Sequence, residues 1–150
     1  MLIVLFFCLF LVAVATVIHY EVLRTLNFGL PSLRIPSRTK LLVVIFGALA
    51  AHAVEMSVFG VTLYGLVKYM GVGSLRGTAG FTFINCLYFS AETYTSLGFG
   101  DLTPVGPVRM LAGVEALTGL LLIGWSASYT YLAMKRFWKI VPDSRRKGMP

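Results

Sequence analysis

Three long stretches almost free of charge constrain this 150-residue chain more than any other feature. A helix rises ~1.5 Å per residue, so roughly 20 mostly apolar residues carry it across a hydrocarbon core. The first stretch runs from Leu2 to Ile18 without a charge and extends to about Leu23. The second covers about Leu41 to Val67 and the third about Met110 to Met134. Each is long enough to span, whereas a fourth apolar piece, Phe81 to Tyr94, is too short. With 57% hydrophobic and only 13% charged residues, the chain falls outside the soluble globular classes and belongs in a membrane.

No Lys or Arg precedes the first run and no small-residue cleavage site clearly follows it, so it reads as a retained helix and not as a leader. The net charge of +7 does not indicate nucleic acid, because the basic residues sort by membrane side instead of forming one recognition patch. Arg24, Arg34, Arg38 and Lys40 crowd the first connecting segment; Lys135, Arg136, Lys139, Arg145, Arg146 and Lys147 crowd the tail. Between the second and third spans stand only Lys68, Arg76 and Arg109. The excess of positive charge predicts a cytoplasmic first loop and C-terminus and an external N-terminus, with the basic segments among anionic headgroups. The expected location is a prokaryotic plasma (inner) membrane.

The expected organisation is a peripheral N-terminal helix over 1–23, a basic cytoplasmic loop over 24–40 punctuated by Asn27, Gly29, Pro31 and Pro36, and an outer helix over 41–68. A flexible, glycine-rich external turret over 69–80 then precedes a short helix over 81–94, a loop over 95–101, an inner helix over 108–134 and a basic tail over 135–150. Backbone that is irregular at membrane depth persists only when buried in protein or lining a water-filled path, so the re-entrant segment is expected to line a pore. Cys8 and Cys86 both lie in apolar segments and show no metal-ligand spacing. There is no catalytic constellation, no phosphate-binding loop and no span with Arg at every third position. Neither an enzyme, nor a cofactor, nor a voltage sensor is expected.

The loop after the short helix reads Ala91-Glu92-Thr93-Tyr94-Thr95-Ser96-Leu97-Gly98-Phe99-Gly100-Asp101, followed by Leu102-Thr103-Pro104. From Tyr88 to Pro104 the sequence closely resembles the potassium-channel pore-loop family, and more loosely over both flanking helices. Its physical logic also stands alone. Removing water from a potassium ion calls for a stack of oxygen ligands, and successive carbonyls face one axis only if the backbone alternates in handedness. Left-handed conformations are cheap for glycine, which accounts for Gly98 and Gly100.

The resemblance implies a selectivity filter at Thr95, Ser96, Leu97, Gly98, Phe99 and Gly100, with K+ held by the carbonyls of Ser96, Leu97, Gly98 and Phe99. The side chains of Leu97 and Phe99 are expected to turn away from the ion and pack on the surrounding helix. By the same resemblance, Tyr88 and Phe89 supply aromatic packing, and Glu92 lies behind the filter sharing a proton with Asp101. Leu97 and Phe99 replace the commoner Val and Tyr, which removes a hydroxyl tether but leaves the carbonyl ladder intact.

Further polar groups fall inside the spans. Glu115 is expected to be neutral or bonded within the bundle, either supporting the filter or sensing protons. His52 and Glu55, three residues apart on one helical face, are expected to bond each other or the short helix, or to form a pH-dependent gate. Gly119 is read either as a hinge or as a close-packing site, as is Gly124, and Ser126 and Ser128 are candidates for an inner vestibule.

Because one filter strand cannot surround an ion, the expected form is an all-α membrane homotetramer in which each chain contributes three transmembrane helices, a re-entrant pore helix and a filter loop. The rival readings are a nonselective cation channel and a small membrane scaffold or regulatory subunit without conduction.

Overall fold

The computed structural model describes residues 1–32, 34–77 and 80–137. Along them run α1 (Leu2–Ser32), α2 (Ser37–Lys68), β1 (Ser74–Gly77), α3 (Phe83–Tyr94), β2 (Leu102–Val105) and α4 (Val108–Phe137). α1, α2 and α4 are each long and apolar enough to cross a membrane. At ~1.5 Å per residue they exceed a ~30 Å hydrocarbon core, so their ends reach the headgroup layers.

One stripe of α1, Val4, Cys8, Leu11, Ala15, His19 and Leu23, is buried at helical spacing, while Phe6, Leu9, Phe10 and Val17 on its other faces are exposed. A helix apolar on its outward faces as well as its inner one suits lipid as the outer solvent. α1 packs along both α2 and α4, and α3 lies between α2 and α4. The core draws Cys8 and Leu11 from α1, Phe59 and Leu63 from α2, Cys86 and Phe89 from α3, and Leu111 and Leu122 from α4.

The first connection is far shorter than the expected loop over 24–40. α1 continues unbroken through Asn27, Gly29 and Pro31 to Ser32, and α2 begins at Ser37. Pro31 is tolerated because it lies in the final turn, where it forfeits one helical hydrogen bond and breaks nothing downstream. Tertiary contact holds that turn: Leu30 is buried with Val44 of α2 and Ala133 of α4. The open carbonyls of the helix end are met by side chains, Ser32 Oγ donating to Gly29 O at 2.7 Å and Lys40 Nζ to Pro31 O at 3.4 Å.

The same contacts bring the C-terminal ends of α1 and α4 and the N-terminal end of α2 together. Arg136 donates to Asn27 Oδ1 at 3.4 Å, and Lys40 lies over the Phe137 ring at 5.5 Å. Arg24, Arg34, Arg38, Lys40, Lys135 and Arg136 therefore gather at one end of the bundle; Lys139, Arg145, Arg146 and Lys147 lie outside the described residues.

Within the expected turret, residues 74–77 form a strand. β1 pairs antiparallel with β2, Ser74 opposite Val105 and Gly77 opposite Leu102, and both Leu75 and Leu102 are buried. This ladder ties the segment before α3 to the segment after the candidate filter. α3 itself starts cleanly, with the Thr82 side chain accepting from the Asn85 N–H at 3.1 Å as an N-cap.

Candidate functional site

α3 ends at Tyr94, and the chain that follows turns its backbone donors back onto that helix. Thr95 N–H donates to Ala91 O at 3.2 Å and Ser96 N–H to Thr93 O at 3.0 Å. The Leu97 and Gly98 N–H groups share the Glu92 carbonyl at 2.8 and 3.3 Å, and Phe99 N–H donates to the Glu92 carboxylate at 3.2 Å. The donors of residues 95–99 are thus spent on α3, while among the described residues no hydrogen bond engages the carbonyls of Ser96, Leu97, Gly98 or Phe99.

Backbone handedness alternates along the same segment. φ is +57° at Ser96, +55° at Gly98 and +80° at Gly100. The two glycines follow the sequence expectation; Ser96 does not, and a non-glycine residue held there stores on the order of 1 kcal/mol or more of strain. No sequence signal marks that serine, whose conformation is imposed by its N–H bond to Thr93 and the bonds that follow.

Within the single chain the side chains of Leu97 and Phe99 lie open. They are 60% and 66% exposed, with no helix of their own subunit packed over them. Phe89 lies in the buried core, whereas Tyr88 is partly exposed. Tyr88, Glu92 and Asp101 do gather near one another. Burial, with the Asp101 charge adding to it, raises the Glu92 carboxyl above the usual carboxylate range against the opposing Phe99 hydrogen bond. Burial and then the Asp101 and Glu92 charges raise the Tyr88 phenol.

Beneath the candidate filter, Tyr94 anchors a buried polar network. Its hydroxyl donates to the Glu55 carboxylate, and His52 Nδ1 lies 2.9 Å from the same hydroxyl and 3.2 Å from Glu55 Oε2. His52 and Glu55 therefore meet both each other and the short helix. His19 of α1 completes the network with Nδ1 2.9 Å from Glu55 Oε1 and Nε2 3.1 Å from Ser126 Oγ of α4. Ser126 consequently faces α1 and is buried, not available to a vestibule, while Ser128 is exposed and donates to Gly124 O at 3.0 Å. His19 escapes a scan for charges because an imidazole inside an apolar run carries no obligatory charge. Its one sequence signal is its place on the stripe that continues Cys8, Leu11 and Ala15.

Glu115 bonds Ser90, whose Oγ also lies 2.6 Å from the Met56 carbonyl. One hydroxyl hydrogen cannot serve both acceptors, so a neutral Glu115 that donates to Ser90 completes the set. At Gly119 α4 is continuous, and a Cβ there would overlap the Tyr94 carbonyl, so the helix packs closely on the end of α3 at that position.

A family model described as an ion channel matches residues 39–136. Over 56 residues the chain is 36% identical to the inward rectifier potassium channel Kirbac3.1 of Paramagnetospirillum magnetotacticum, a match covering 37% of this chain and 19% of that relative's length. No solved structure matches.

Proposed function

The chain belongs to the ion-channel family whose model it matches over residues 39–136, and from that premise we propose that it is one subunit of a homotetrameric, potassium-selective channel. K+ passes through a filter formed by Thr95, Ser96, Leu97, Gly98, Phe99 and Gly100, with the carbonyls of Ser96, Leu97, Gly98 and Phe99 as ligands.

The observation that carries this reading is the division of labour in the filter backbone. Every N–H from Thr95 to Phe99 is bonded to α3, the opposing carbonyls are unspent, and φ is positive at alternate residues. A closed ring of such segments offers oxygen ligands on one axis, and the carbonyl end of α3 adds partial negative charge toward a cation. One chain supplies one segment, so four copies are required. The exposed Leu97 and Phe99 side chains suit burial against a neighbouring subunit.

In this reading α2 and α4 are the outer and inner pore helices and α1 braces them. The basic end of the bundle faces the cytoplasm among anionic headgroups, which places the N-terminus outside, and the host is a plasma membrane. No enzymatic step and no organic cofactor is invoked.

The test is the reversal potential of purified protein in a planar bilayer with potassium on one side and sodium on the other, followed by barium. A strongly potassium-shifted potential with barium block is expected. A potential near zero would replace selectivity with nonselective cation conduction, and absence of current over a range of pH and voltage would favour a scaffold.

A further inference from the structure

Both of the chain's 2 histidines converge on one carboxylate where α1 meets α2. The ligand atoms of His19, His52 and Glu55 all lie within 4.8 Å of one another. We propose that this triad binds one zinc-like divalent cation per subunit, through the Nδ1 atoms of His19 and His52 and the carboxylate of Glu55.

Donor chemistry selects the class of ion. Two imidazoles and one carboxylate suit a borderline ion such as Zn2+, whereas Mg2+ and Ca2+ favour all-oxygen sets and Cu(I) favours sulfur. A tetrahedral Zn2+ with bonds of ~2.0–2.1 Å places its ligand atoms about 3.3 Å apart. Here His19 Nδ1 stands 2.9 Å from Glu55 Oε1 and His52 Nδ1 3.2 Å from Oε2. Two of the three edges are thus already near that length, and the ligand atoms as a set lie within 4.8 Å of one another, so side-chain rotation that draws the two imidazoles together would complete the site.

The surroundings fit ligation as well. With Nδ1 on the metal, the imidazole proton moves to Nε2, and for His19 that atom meets Ser126 Oγ at 3.1 Å. Such an outer hydrogen bond fixes ring and tautomer at metal sites. The Tyr94 hydroxyl, bonded to Glu55 and 2.9 Å from His52 Nδ1, stands where a fourth oxygen or a bound water is needed. Burial argues the same way: His19 and Glu55 are both fully buried, so an ion held there is shielded from competition by bulk water.

The site joins unlike parts of the chain. His19 lies outside the segment matched by the family model and His52 and Glu55 lie within it, so the ion staples the additional helix to the pore-forming unit and, through Tyr94, to the base of the filter. Its existence does not depend on what the pore conducts.

The experiment uses tag-free full-length protein in detergent, stripped with chelator and titrated with ZnCl2 and, separately, CoCl2. Expected are saturable uptake of about one ion per subunit, the visible bands of tetrahedral Co2+, and a higher unfolding temperature with Zn2+. His19→Gln and His52→Gln should each weaken uptake ~10-fold or more. Should those variants fold poorly, His19→Cys keeps a zinc-type donor and should retain uptake with an altered Co2+ spectrum. Folded wild-type protein that takes up no saturable metal, or takes up no more than folded His19→Gln, overturns the proposal. None of these readouts requires current, so failure here and failure of potassium selectivity are separately visible.

Discussion

At Gly98 an added Cβ would meet no atom of its own subunit within 4 Å, yet φ there is +55°. The requirement for glycine is torsional before it is steric, and β-branched residues meet it worst. Gly98→Val is expected to abolish selective potassium flux from proteoliposomes; normal selective flux in that variant would refute the filter assignment. Glu92 presents a different constraint, since its carboxylate accepts the Phe99 N–H while burial and Asp101 favour its neutral form. A carboxyl raised in the folded state stabilises the fold most below its unfolded value of about 4.3, and that contribution is lost as pH rises through the folded-state value. Glu92→Gln keeps an acceptor for Phe99 and cannot ionise. It is expected to retain selectivity and to flatten the fall of unfolding temperature as pH rises from about 4 toward neutral, whereas Glu92→Ala leaves the Phe99 donor unmet at a cost of about 1–3 kcal/mol. Wild-type and Gln proteins with identical pH profiles of unfolding temperature would remove Glu92 as the titrating group.

Between elements, α4 passes close to the end of α3, where Gly119 faces the Tyr94 carbonyl. The opposing atom is backbone and belongs to the residue that anchors the buried network, so it cannot rotate aside. Gly119→Ala is expected to lower stability by about 1–3 kcal/mol as an overpacked contact. Gly124→Ala, five residues along the same helix with nothing within 4 Å, should be neutral or stabilising by up to about 1 kcal/mol in the subunit. Thermal unfolding of the two variants side by side separates packing from hinge, because a hinge role predicts altered gating without this asymmetry in stability. The spans and the short helix were legible because uncharged length is a one-dimensional property, read without knowing any partner. The β1–β2 ladder was not, since its pairing joins Arg76 to Thr103 across the whole re-entrant segment and its strands are short and glycine-flanked. The loop expected over 24–40 failed for the opposite reason: Asn27, Gly29 and Pro31 are local helix-breaking signals, and Leu30 buried against Val44 and Ala133 outweighs them. His19 combines both difficulties, because its meaning lies in Glu55 and Ser126, residues on other helices.

For the whole molecule, the unspent carbonyls and the exposed Leu97 and Phe99 side chains belong to the same short segment, so in the proposed tetramer ion binding and subunit assembly would act on one piece of backbone. A tetrameric filter is a ligand site that exists only when the subunits are assembled, and a ligand that binds only the assembled state stabilises it by RT ln(1 + [L]/Kd). At 100 times Kd the gain is about 2.7 kcal/mol. Without ions, the facing carbonyl dipoles of neighbouring segments repel one another with nothing between them. Potassium is therefore expected to protect the tetramer against heat more than sodium or choline at equal ionic strength, and Gly98→Val should lose most of that protection because its segment cannot hold the alternating conformation. The measurement is the fraction of tetramer surviving a temperature series, read by size-exclusion chromatography in each salt. Equal survival in potassium and choline would separate assembly from ion binding and leave the filter carbonyls without their proposed ligand. Protection by sodium as strong as by potassium would keep the site and discard its selectivity.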